Sequence, residues 1–225
     1  MENMYVRPVF PPAVFRDSAG SVVEYGAQWR QRDVPEEAYS RVSHPERFAG
    51  IHQVADALVD HVLATYDCTR QDGPDLVPQQ GGVANPRVQT VRVVKLVPAH
   101  SDAAALVIEY LDFPSVRVHV GLLHSFPAPN CDCDACDETL DSAAGELEQV
   151  ILAVVAGGFR ESITEGRTPN VHMSLVFPGG SSTSEGPLRF SSLPRERVEE
   201  AQVRFGTLPY GWQPWPVRAS SPASN

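Results

Sequence analysis

The sequence predicts a single α+β domain, a mainly antiparallel sheet of four or more strands packed by two long helices. Three observations predict it. Apolar residues make up 42% of 225 positions, enough for a core rather than a disordered coil. Two stretches repeat apolar residues at three- and four-residue steps, the period of a helix with one buried face. Valine-rich runs follow one another across short turns, and strands joined so closely pair antiparallel.

Residues 1–42 read as a proline-rich N-terminal arm with a hairpin. Val14 to Arg16 and Ser21 to Tyr25 flank Asp17-Ser18-Ala19-Gly20, where Gly20 supplies the positive φ of the turn. The first long helix is expected from Pro45 to Tyr66, with Ser43 as N-cap and Glu46 closing a capping box. Phe48, Ile51, Ala55, Leu58 and Val62 form its stripe. Residues 67–87, rich in Asp, Gly, Pro and Gln, read as a loop. Strands are expected over Val88–Val97, Ala104–Phe113 and Val116–Phe126. The second helix spans Thr139 to Ala156, with Leu140, Ala144, Leu147, Ile151 and Val154 inward and Gly157-Gly158 ending it. Val171–Phe177 is a fourth strand, and Gly179–Gly186 a flexible loop of small residues. A short helix from Pro194 to Phe205 stops at Gly206. Tyr210 to Pro216 then docks its aromatics on the domain. The domain is expected to span 43–217, with 218–225 a disordered tail. The 20 prolines and 16 glycines fit the long connections this layout needs.

Composition excludes several functions. No run of about 18 apolar residues exists, so no membrane span is expected. The first residues lack a basic segment followed by an apolar one, so no secretory leader is expected. The expectation is a cytoplasmic protein whose thiols are reduced. The net charge of −10 argues against nucleic acid and leaves a basic protein as the class of partner. Seventeen arginines accompany one lysine, Lys95, which stands outside any Gly-Lys-Ser/Thr context, so no phosphate-binding P-loop is present. Gly-x-Ser-x-Gly, His-Glu-x-x-His and Gly-x-Gly-x-x-Gly are also absent.

What remains is a cysteine cluster, Cys131-Asp132-Cys133-Asp134-Ala135-Cys136, with Cys68 far upstream. In extended backbone Cys131 and Cys133 share a face. Cys136 falls near the second helix's start, where backbone amides favour a thiolate. Three thiolates and one neutral ligand make a closed tetrahedral zinc site, structural rather than catalytic because no position is left open. His124 is the expected fourth ligand. His119, of opposite parity along its strand, and Cys68 are the alternatives.

Two other readings compete. Cys133-Asp134-Ala135-Cys136 before a helix fits a thiol–disulfide redox site, against which the surrounding carboxylates raise thiol pKa. A metal-free acidic interaction module is the other. Charge bears on all three. Residues 118–159 hold seven acids and no base, so a cation is what that segment lacks.

The residues also resemble a known family. The stretches that carry the resemblance are Glu24-Tyr25-Gly26 with Trp29, then Pro35-Glu36-Glu37-Ala38-Tyr39-Ser40, then His44-Pro45-Glu46-Arg47-Phe48 with Leu58 and Tyr66-Asp67. They continue with His119 to His124, the cysteine cluster through Asp137-Glu138, and Trp212-x-x-Trp215-Pro216. In order and over most of the chain, this resembles an uncharacterised actinobacterial family, domain of unknown function 6226. Asp132 stands where such relatives usually have glycine. The resemblance implies one domain and no known activity.

Overall fold

The computed structural model describes residues 4–79, 88–191, 193–208 and 210–219. Strands β1 (Phe15–Arg16) and β2 (Val22–Val23) form the expected hairpin, with Gly20 at φ +84 in its turn. Helix α1 covers Ile51–Thr65. The predicted helix from Pro45 is broken. Pro45–Phe48 forms a separate 3-10 turn, and Ser43 makes no cap. Gly50, the N-cap of α1, permits close packing there, since a Cβ would lie 2.7 Å from the Phe10 ring and 2.8 Å from Leu140.

A five-stranded antiparallel meander follows. Strand β3 (Cys68–Asp72) was missed by the loop reading because four of its five side chains are exposed, which erases alternation. Next come β4 (Thr90–Pro98), β5 (Leu106–Leu111), β6 (Ser115–Val120) and β7 (His124–Ala128), paired in the order β3-β4-β5-β6-β7. The single strand expected over Val116–Phe126 is therefore a hairpin. Gly121, at φ +59, reverses the chain, and a Cβ there would sit 2.1 Å from a carboxylate oxygen of Glu161.

Helix α2 (Leu140–Val155) begins where expected, with Thr139 and Ser142 forming a reciprocal capping box. A second antiparallel sheet is built from β8 (Phe159–Ile163), β9 (Asn170–Phe177) and β10 (Gly180–Pro187), in the order β10-β9-β8. The reading of Gly179–Gly186 as a flexible loop is thus corrected. These small exposed residues pair with β9 through the backbone ladder, which needs no apolar side chain. Helix α3 (Arg195–Phe205) completes the α+β fold. Trp212 and Trp215 dock as expected, Trp215 Nε1 donating to the Ala104 carbonyl at 2.9 Å. The loop reading over residues 80–87 and most of the expected tail lie outside the described residues. Among the described residues no helix is long and apolar enough to cross a membrane.

Leu58, Leu96, Leu106, Ile108, Leu147 and Ile151 pack fully buried between the five-stranded sheet and helices α1 and α2. The sheet's other face is partly buried, and it carries charge. Glu109 accepts hydrogen bonds from Thr90 Oγ1 at 2.5 Å, His119 Nε2 at 3.1 Å and Arg117 at 3.2 Å. Burial pushes the Glu109 carboxyl up, but these partners outweigh it and hold it at about 2. The ordinary value is 4.5. A carboxyl depressed by folding contributes stability above its unfolded pKa and loses it as pH falls through its folded one. Wild type is therefore expected to exceed Glu109→Gln by about 3 kcal/mol at neutral pH. The difference should shrink between about pH 4.5 and pH 2, and urea unfolding of both proteins across that range checks it.

Candidate metal centre

The loop between β7 and α2, residues 129–139, carries the three cysteines and is held by side chains from far upstream. Its charged anchor is Asp134, whose side chain is only 4% exposed. One carboxylate oxygen accepts from the Ser43 amide at 3.0 Å and the Tyr25 hydroxyl at 3.3 Å. The other accepts from Ser43 Oγ at 2.6 Å and Arg41 Nε at 2.7 Å. Burial pushes this carboxyl up, and the bonds from Ser43 and Arg41 bring it below the usual range.

Arg47 is the second anchor. Its guanidinium is buried and stacks on Tyr25 at 4.3 Å and Phe48 at 4.4 Å. It donates to the carbonyls of Asp132, Cys133 and Glu138. Trp29 Nε1 and Gln28 Nε2 each donate to the Asp134 carbonyl at 2.9 Å. The amides of Asp134 and Ala135 donate back to Arg41 and Ala38. Glu138 folds over the loop's start, accepting from the amides of Asn130 and Cys131. Asp137 adopts φ 55, a left-handed conformation that aspartate tolerates. Its Oδ2 accepts from the Gln28 amide, while Oδ1 is buried with no partner among the described residues.

This framework gathers three sulfurs. Cys131 Sγ and Cys133 Sγ lie 3.2 Å apart, and all three Sγ atoms fall within 4.8 Å of one another. A tetrahedral zinc with Zn–S bonds of about 2.3 Å requires sulfur separations of about 3.8 Å, inside that spread. The cluster could hold a metal ion. Cys133 is buried, Cys131 partly so, and Cys136 exposed. Burial pushes the Cys133 thiol up, but hydrogen bonds from Cys131 and from the Cys136 and Ala135 amides hold it below normal. Cys136 goes the other way. Its hydrogen bonds with Cys131 and Cys133 push it up to about 12. The expected help from α2 does not reach it, because the helix begins four residues later at Leu140.

The structure does not bring His124 into this group. It begins β7, and four residues of strand, about 13 Å of rise, separate it from Ala128 before the loop. Its Nδ1 instead meets Glu161 Oε2 at 2.9 Å. His119 faces Glu109, and Cys68 is buried on β3 with its thiol near the Val62 carbonyl.

The cation missing from residues 118–159 arrives from the N-terminal segment. Arg41 meets Asp134, and Arg7 meets both Asp141 and Glu148. The anchors Tyr25, Arg41, Ser43 and Arg47 are the functional residues that motif reading missed. This charge imbalance between segments pointed to the arginines, and Tyr25 and Arg47 also lie in the stretches that carry the family resemblance.

A family model described as a family of unknown function, DUF6226, matches residues 11–219. No curated protein and no solved structure gives a significant match.

Proposed function

The chain belongs to the DUF6226 family, and since that membership brings no activity with it, we propose from the residues themselves that this is a zinc-binding protein whose metal is structural. Cys131, Cys133 and Cys136 supply three thiolates, and water or another small ligand completes the tetrahedron. The observation that carries the reading is the mutual approach of three sulfurs on a loop whose backbone is fastened on both sides. Three thiolates already overcompensate the charge of Zn²⁺, so a bound water is weakly acidified and hydrolytic chemistry is disfavoured. The metal would lock the loop on which the N-terminal segment rests.

Metal analysis of protein purified without added metal tests the proposal. About one equivalent of zinc is expected, and Cys133→Ser should lose it. A strong chelator should release it and expose residues 17–43 to proteolysis while the helical circular dichroism persists. Less than about a tenth of an equivalent, with all three thiols freely reactive, would overturn the reading.

One observation favours a second reading. The 3.2 Å contact of Cys131 with Cys133 suits a thiol–disulfide couple between these two. That reading expects metal-free protein to lose two titratable thiols reversibly on oxidation.

A further inference from the structure

Behind the cysteine loop, the N-terminal segment folds over Asp134 and encloses a cleft of about 650 Å³. Three arginines line it, Arg16 from β1, Arg32 and Arg41. Each is fixed by a single guanidinium hydrogen bond. Arg16 donates to the Gly20 carbonyl at 2.8 Å, Arg32 Nε to the Gln28 carbonyl at 2.9 Å, and Arg41 Nε to Asp134 at 2.7 Å. A guanidinium has five N–H donors. Each of the three therefore keeps most of its donors unspent among the described residues.

The carboxylates of the lining are in the opposite condition. Asp134 accepts four bonds, and Asp17 is turned inward on the hairpin amides of Ala19 and Ser21. Only Asp33 has no partner among the described residues. The cleft thus offers surplus donors and few free acceptors, although the whole chain is acidic.

The arginines are also pre-positioned. The Arg32 guanidinium sits 4.7 Å above the Trp29 ring, which is itself tied to the Asp134 carbonyl. His44 holds the Arg16 carbonyl through Nε2 at 3.0 Å and packs on Phe15 and Tyr25. Part of the ordering cost has therefore been met before a ligand arrives.

We propose that this cleft binds a phosphate dianion carried on a small molecule, with Arg16, Arg32 and Arg41 as its ligands. Planar guanidinium forks match phosphate oxygens two at a time. Asp17, Asp33 and Asp134 balance the three arginines in formal charge, so the free N–H donors, rather than net charge, are what the cleft offers an anion. No cysteine lines the cleft, but Asp134 of the cysteine loop does, so the titration is run on protein of measured metal content.

The test is a titration of the full chain, ¹⁵N-labelled, at low ionic strength. The probes are inorganic phosphate, adenosine monophosphate and adenosine. The indole N–H signal of Trp29, assigned with Trp29→Phe, reports on the cleft, and those of Trp212 and Trp215 serve as internal controls. Saturable movement of the Trp29 signal is expected with phosphate or with the monophosphate, and not with adenosine. Whichever probe binds more tightly tells free phosphate from a phosphate monoester. Arg16→Gln and Arg32→Gln should each weaken binding by about tenfold. Asp33→Asn should strengthen it. No saturable shift in the millimolar range, equal response to adenosine, or unchanged affinity in both arginine variants would each overturn the proposal.

Discussion

Asp134→Ala is expected to destabilise the protein by about 3–5 kcal/mol, the cost of removing one member of a buried charged network. The side chain is 4% exposed and accepts from Tyr25, Arg41 and both donors of Ser43. Truncation leaves the Ser43 amide without its acceptor and takes from Arg47 the nearest carboxylate, 3.9 Å away. Unpaired buried donors are costly because water cannot replace the lost acceptor. For a chain of this size the midpoint of thermal unfolding should fall by about 10 °C. The same variant should open the N-terminal segment first, since four of the hydrogen bonds that join residues 25–47 to the cysteine loop end on this carboxylate. Limited proteolysis between residues 17 and 43 would then outpace global unfolding. A loss under about 1 kcal/mol, the scale of an exposed ion pair, would show that the network does not hold the segment.

The distance between partners explains how much of the site could be read from the sequence. Cys131, Cys133 and Cys136 declare themselves by spacing alone, and extended backbone already places Cys131 beside Cys133. Their supports do not. Ser43, Arg41 and Tyr25 stand 91 to 109 positions before Asp134, and no local pattern links positions so far apart. The charge imbalance carried part of that information, since an acid-only stretch requires cations from elsewhere. It does not distinguish an arginine from a metal. His124 illustrates a further limit. Parity along a strand says which face a side chain takes, but reaching the loop depends on where the strand starts, and the turn at Gly121 sets that.

The fold divides in a similar way. The face of α2 was legible because burial imposes a period on its residues, and the centre of the sheet because a strand buried on both faces reads as an apolar run. The polar edge strands β3 and β10 were not. Backbone pairing formed them, and exposed side chains keep no record of it. The break between the 3-10 turn and α1 was hidden for another reason. The apolar stripe runs unbroken from Phe48 to Val62 and so carries no trace of the break.

Glu161→Gln is expected to cost about 3 kcal/mol or more and to approach the cost of Glu161→Ala, although glutamine has nearly the same shape. The Glu161 side chain is fully buried on β8. It accepts from the amides of Leu122 and Leu123 at 2.7 and 3.0 Å, from His124 Nδ1 at 2.9 Å and from Trp212 Nε1 at 3.0 Å. These bonds join the β6–β7 turn to the second sheet and to the C-terminal segment. Both carboxylate oxygens face an N–H that cannot accept: Leu122 and Trp212 on one side, Leu123 on the other. A carboxamide must turn its own N–H groups toward one of these sets, so no orientation satisfies the site. The Asp134 site differs, because the oxygen facing Ser43 Oγ meets a hydroxyl that can reverse its role, and half-exposed Arg41 can swing to solvent. Asp134→Asn should therefore recover about half of what Asp134→Ala loses, while Glu161→Gln recovers little over Glu161→Ala. Urea unfolding of the four variants measures both ratios. Equal recovery at the two positions would mean that charge, rather than the donor pattern around each carboxylate, sets the cost.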